Sequence, residues 1–168
     1  MLHDWANVFG VTGPAGAALI GLLFVVVTIG TGLSAKQSET AIRAFVTPTL
    51  VNFSGVLFQA VVVLAPWPSE RLAGVILMLG GVVSLIYRIM TIRRKGKADF
   101  IELSPSAWIA YDGLPLVANL SVIGGGLGLY FERAFAPFAI AGASVLLLFA
   151  GIFGAWDVTL WILMNRKR

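Results

Sequence analysis

The chain has 168 residues, of which 58% are apolar and only 12% charged, with a net charge of +4 and a mean hydropathy of +0.92. Soluble domains carry about twice that share of charge, so the composition excludes one and points to an all-α integral membrane domain covering residues 1–168, with roughly 20 apolar residues to each spanning helix. Zero cysteines exclude disulfides, thiolate metal sites and thiol nucleophiles, and the one histidine, His3, cannot furnish haem ligands or a multi-histidine metal site. No metal and no cofactor is expected.

Five apolar runs follow in order. The first, about 11–33, stands behind a tail without lysine or arginine, so it lacks the basic region of a cleaved signal and reads as a retained span. A polar stretch, 34–43, leads into the second, about 45–65, where Pro48 near the entry is compatible with a first helical turn. Pro66, Trp67 and Pro68 end it. The third run, about 72–90, follows after a short turn, which predicts an antiparallel hairpin with the second. It stops at the basic group Arg93, Arg94, Lys95 and Lys97. Residues 98–106 read as a short interfacial connection. The fourth run, about 107–131, carries Pro115; Glu132, Arg133 and Pro137 make a turn; the fifth, about 138–164, precedes Arg166, Lys167 and Arg168.

Lysine and arginine near span ends are retained in the cytoplasm. With the N-terminus outside, Lys36, Arg43, Arg88, Arg93, Arg94, Lys95, Lys97, Arg166, Lys167 and Arg168 fall inside, and only Arg71 and Arg133 outside. That lopsided split fixes the expected orientation, with a cytoplasmic C-terminus. Trp5 and Trp67 would then mark the outer interface, Trp108 and Trp161 the inner one. The basic residues are topology determinants with no soluble fold to carry them, so no nucleic-acid partner is expected. The expected partner is the lipid bilayer.

Charge inside a span costs at least ~2.5 kcal/mol at the bilayer centre and demands company. Asp112 lies four residues after Trp108 and Asp157 four before Trp161, one turn deeper than each indole, and Arg88 lies five before Arg93. The three share a depth. An Arg–Asp contact, or an Asp–Arg–Asp bridge, would lock three helices together or form an ion or proton site at the inner mouth of a pathway. Asn52, Gly55 and Gln59 occupy one helical face; so do Gly81, Ser84 and Arg88; Asp112 and Asn119 are seven apart. Such polar seams, with Asn52, Gln59, Ser84 and Asn119, line a path if they face one another and act as interhelical hydrogen bonds otherwise. Gly81, Gly124, Gly128, Gly151 and Gly154 are expected at helix contacts, where small residues let backbones approach.

Enzyme readings fail on residues. Tyr111 and Asp112 resemble half of an intramembrane aspartyl protease, but the required Gly-x-Gly-Asp is replaced by Gly154, Ala155, Trp156 and Asp157. An intramembrane serine protease lacks its helical histidine, and Lys36, Lys95, Lys97 and Lys167 all sit at span ends, away from any retinal pocket. No nucleophile, base and orienting group assemble, and the chain is expected not to be an enzyme.

The run Gly21, Leu22, Leu23, Phe24 and Val25, the helix over 45–66, and the stretch 114–168 with its glycine-rich centre and Gly154, Ala155 and Trp156 resemble a broad group of small five-span bacterial membrane proteins. The resemblance implies the five-helix architecture and the bacterial inner membrane. Where such proteins often show a glutamate in the final helix, this chain has Asp157 and Trp161. The expected function is a small homo-oligomeric channel or carrier for a cation or proton; a scaffold subunit docking a partner membrane protein's helix, and a binder of lipid or amphiphile, are the alternatives.

Overall fold

A computed structural model describes residues 1–30, 46–95 and 109–165. Among the described residues there are helices and turns but no strands, and five helices are long and apolar enough to cross a membrane. They are α1 (Ala6–Gly30), α2 (Thr47–Leu64), α3 (Glu70–Lys95), α4 (Leu114–Tyr130) and α5 (Ala136–Asn165), with a π-helical turn at Ile109–Gly113 leading into α4. Lys36, Arg43, Lys97, Trp108, Arg166, Lys167, Arg168 and the 98–106 connection lie outside the described residues, as do the side chains of Arg94, Lys95 and Trp161.

The helices reach further than the apolar runs. A short 3-10 turn, His3–Trp5, precedes α1, so the residues read as a tail ahead of the first run are helical. The cause is a stripe that average hydropathy hides: Leu2, Trp5 and Phe9 recur at three and four, with Leu2 and Phe9 buried and Trp5 set edge-on against Phe138 at 4.4 Å. At the other end of the chain Pro137 lies inside the first turn of α5 rather than in the preceding loop, because a missing N–H costs nothing there. Pro48 and Pro115 occupy the same kind of position in α2 and α4. The helix α3 ends at Lys95, within the basic group at which the third run stops, and Gly96 follows.

Neighbouring helices run antiparallel, and their order across the bundle is α3, α4, α5, α2, α1. The hairpin expected between α2 and α3 is antiparallel but only lightly packed; α2 lies instead against α1 and α5, and α3 against α4. Tight turns at 65–69 and 131–135 share one end of the bundle with Met1, whose ammonium lies 3.0 Å from Glu70, while Arg71 reaches Glu132 at 2.8 Å. At the opposite end the chain leaves through Gly30, Lys95 and Asn165 and returns at Val46 and Ile109.

Both turns are closed by local chemistry. The indole of Trp67 donates to the Val62 carbonyl at 2.6 Å, satisfying one of the carbonyls exposed at the end of α2. At the end of α4, Glu132 N–H donates to Leu129 and Arg133 N–H to Gly128, with Glu132 at φ 56°. This is the paired closure that usually places glycine at the left-handed position.

Glycine sets the closest approach between helices. A methyl group at Gly74 of α3 would lie 2.6 Å from the Gly126 carbonyl oxygen, and one at Gly126 of α4 would lie 2.6 Å from the Gly74 carbonyl oxygen. The two backbones therefore touch. Gly81 packs on Ile123 and Val122, Gly128 on Ala136 and Phe135, Gly151 on Phe53, and Gly154 on Thr49. Gly124 departs from expectation, since a Cβ there would meet nothing within 4 Å. Its neighbours Gly125 and Gly126 take the contacts, because α4 meets α3 and α5 on two sides and Gly124 points between them.

Candidate functional site: a polar cluster at one end of the bundle

Away from the Met1 end, four helical elements bring polar side chains to one level. Arg88 on α3 is 1% exposed, Asp112 on the π turn 3% and Asn52 on α2 4%. A guanidinium cannot shed its charge, so burial at this depth requires donors to be met by acceptors. One terminal nitrogen of Arg88 donates to Asn52 Oδ1 at 2.5 Å, the other to the Tyr111 backbone carbonyl at 3.3 Å. The opposite charge acting on it is Asp112.

The sequence explains why a backbone carbonyl is offered here. Pro115 follows Tyr111 by four residues and has no N–H, so the helix cannot satisfy every carbonyl one turn earlier. The chain answers with a π turn, a feature that often marks functional positions, and with a hydrogen bond from the neighbouring helix. Tyr111 also faces α5, where its hydroxyl donates to the Asp157 carboxylate. Asp157 is partly exposed, unlike Asp112 and Arg88.

The shared depth inferred for Arg88, Asp112 and Asp157 thus appears as one connected set, with a different wiring from the Asp–Arg–Asp bridge. Asp157 enters through the Tyr111 phenol, and Asn52 through a direct contact with Arg88. Tyr111 carried a legible signal, a phenol beside Asp112 and four residues before a proline. The two amides of α2 diverge: Asn52 turns to α3, while Gln59, 3% exposed, accepts a 2.8 Å hydrogen bond from Ser144 of α5. Ser144 is a site residue that periodicity did not single out. Ser84 is half-buried outside this network, and Asn119 is buried on α4 with its side-chain nitrogen unpartnered.

Of the two roles open to the polar seams, Asn52 and Gln59 take interhelical hydrogen bonds, to different helices. From the level of the cluster toward the Met1 end, fully buried apolar side chains, among them Phe53, Val56, Leu77 and Ile140, occupy successive levels of the interior. Among the described residues no three acidic or histidine side chains gather as a metal site. Two polar atoms besides the Asn119 nitrogen are buried without a partner among the described residues: Nε of Arg88 and the hydroxyl of Thr12.

Comparison with protein-family models, with curated proteins and with solved structures finds no match to this chain.

Proposed function

We propose that the chain is a multi-pass protein of the bacterial inner membrane, N-terminus outside and C-terminus cytoplasmic, that works as a small homo-oligomeric carrier for a proton or cation. Its exchange site is the cluster of Asp112, Asp157 and Arg88, completed by Tyr111 and Asn52. The observation that supports this most directly is the division of labour between the two carboxylates. Asp112 is buried beside a permanent cation, whereas Asp157 is partly exposed and accepts a hydrogen bond from a phenol. A pair locked for structure alone has no need of the second.

A carrier is favoured over an open channel because buried apolar side chains, Phe53, Val56, Leu77 and Ile140 among them, fill successive levels of the protomer beyond the cluster. Passage would require those side chains to part, as in alternating access. The outward surfaces, among them Val11, Leu22, Phe24, Val83, Phe138 and Phe149, are apolar and exposed, which suits hydrocarbon and not water. The test is ion and proton flux into liposomes containing the wild type, Asp112→Asn or Asp157→Asn. Flux in the wild type that falls at least tenfold in both variants is expected; equal flux in all three removes the cluster from the mechanism.

The second reading, a non-catalytic scaffold subunit for a partner helix, draws support from Gly10 and Gly21 of α1, where a Cβ would meet nothing within 4 Å. It predicts no flux and a stoichiometric membrane partner on gentle purification.

A further inference from the structure

A cluster with two carboxylates can take a proton or a metal cation, and the groups around Asp157 separate the two. A hard metal cation needs several oxygen ligands converging on one point. The described residues bring no three acidic or histidine side chains together, and the cluster already holds the guanidinium of Arg88, a positive charge that repels a metal. A proton needs one carboxylate, a way in, and a hydrogen-bond partner that tolerates both protonation states.

Asp157 has all three. It is partly exposed, and its Oδ2 accepts from the Tyr111 hydroxyl. A phenol both donates and accepts. When hydronium delivers a proton, one O–H bond forms on the carboxylate and a water molecule departs. The new acid can then donate to the phenol oxygen, whose own hydrogen rotates away. The contact survives with its polarity reversed, and no electrons change hands.

Among the described residues, the surroundings of Asp157 contain few other charges. The described lengths of α1 and α2 carry no ionisable residue, and α5 carries only Asp157 itself. The π turn contributes Tyr111 and Asp112, and α3 contributes Arg88 beyond them. Asp112 and Arg88 offset one another, so the carboxylate left to change its charge is Asp157.

We infer that Asp157 is the proton-exchanging group of this cluster, with the Tyr111 hydroxyl as its reversible partner and the Arg88–Asp112 pair as a fixed neighbour, so that the species handled is a proton and not a metal cation. This deepens the carrier reading and rests on it for its physiological meaning, while the titrating group itself is measurable without transport.

The test is infrared difference spectroscopy, acid minus neutral, on the full chain in lipid bilayers. A protonated-carboxyl band is expected in the wild type, absent in Asp157→Asn, moved but present in Asp157→Glu, shifted in frequency in Tyr111→Phe, and retained in Asp112→Asn. Where Asp112→Asn alone lowers the folded yield, the paired Arg88→Gln/Asp112→Asn replacement gives the same readout. Sodium, potassium and calcium chlorides at matched ionic strength leave the band unchanged. A band that vanishes with Asp112→Asn instead, or one that sodium or calcium displaces, overturns the inference. Flux measured in parallel separates the two ideas. Metal-cation flux without proton flux overturns the inference and keeps the carrier; a normal Asp157 band with no flux of any ion overturns the carrier and keeps the assignment.

Discussion

At Arg88 the desolvation of a permanent charge is offset by the Asn52 amide, the Tyr111 carbonyl and the Asp112 carboxylate together. Removing one member of such a set leaves buried charge without its main compensation, which in buried ion pairs costs about 3–5 kcal/mol. Arg88→Ala is therefore expected to destabilise the fold by about that much, and adding Asp112→Asn to restore part of it. Unfolding in mixed micelles through the full double-mutant cycle measures the coupling; strictly additive losses would show that the two charges do not support one another. Glu132 offers a contrasting case. Its left-handed backbone strains a side chain by roughly 1–2 kcal/mol, while its pair with Arg71, both more than half exposed, contributes about 0–1 kcal/mol. Glu132→Gly should leave stability unchanged or raise it by up to about 1 kcal/mol, and Arg71→Ala should shift it by less than about 0.5 kcal/mol. Much of the residue scale is legible in sequence, since the offsets of Asp112 and Asp157 from tryptophan carry their depth. What stays hidden is the wiring: depth is a one-dimensional quantity, and whether Arg88 meets Asp157 or Asn52 depends on how each helix is rotated about its axis.

Among the elements, α3 and α4 are joined where side chains are absent. Gly126→Ala and Gly74→Ala each push a methyl into the opposite backbone, an overpacking expected to cost about 1–3 kcal/mol. Gly124→Ala, two residues away, meets open space and gains helix propensity of up to about 1 kcal/mol. Thermal unfolding of the three variants in one detergent gives the comparison, and equal losses at Gly124 and Gly126 would contradict the backbone contact. Helix ends were readable wherever proline or a basic cluster stood at the boundary, as at Pro48 and Pro66. They were misjudged where the signal was a side-chain stripe, as with Leu2, Trp5 and Phe9, or where proline joined the first turn, as at Pro137. The partner of each glycine could not be read at all, because Gly124, Gly125 and Gly126 have the same composition on three sides of one helix.

On the scale of the whole molecule, one end is drawn together by Met1 on Glu70 and Arg71 on Glu132. The Met1 ammonium is held by the Glu70 carboxylate and keeps its proton to a higher pH than its ordinary 8.0. A group raised in the folded state stabilises fully below its ordinary value and loses that contribution as pH climbs through the folded one. Stability is thus expected to decline on the alkaline side of 8.0, and the part due to this contact to be absent in Glu70→Gln; identical alkaline profiles would remove the contact from the account. Sidedness has its own test. Single cysteines at Ser69 and Ala134 should label together from the outer face of sealed spheroplasts, and one at Gly96 only after permeabilisation.

The order of helices across the bundle has a consequence for how the protein is made. The first two helices can zip up as they emerge, and the next two can do the same, yet among the described residues those hairpins touch at few points: Met1 and Leu2 on Glu70, Phe58 against Gly80, and Asn52 against Arg88. The last span, seated between α4 and α2, is what welds them into one body. A nascent chain halted before Ala136 would hold two loosely associated hairpins, and Tyr111 would wait for its carboxylate until α5 had emerged.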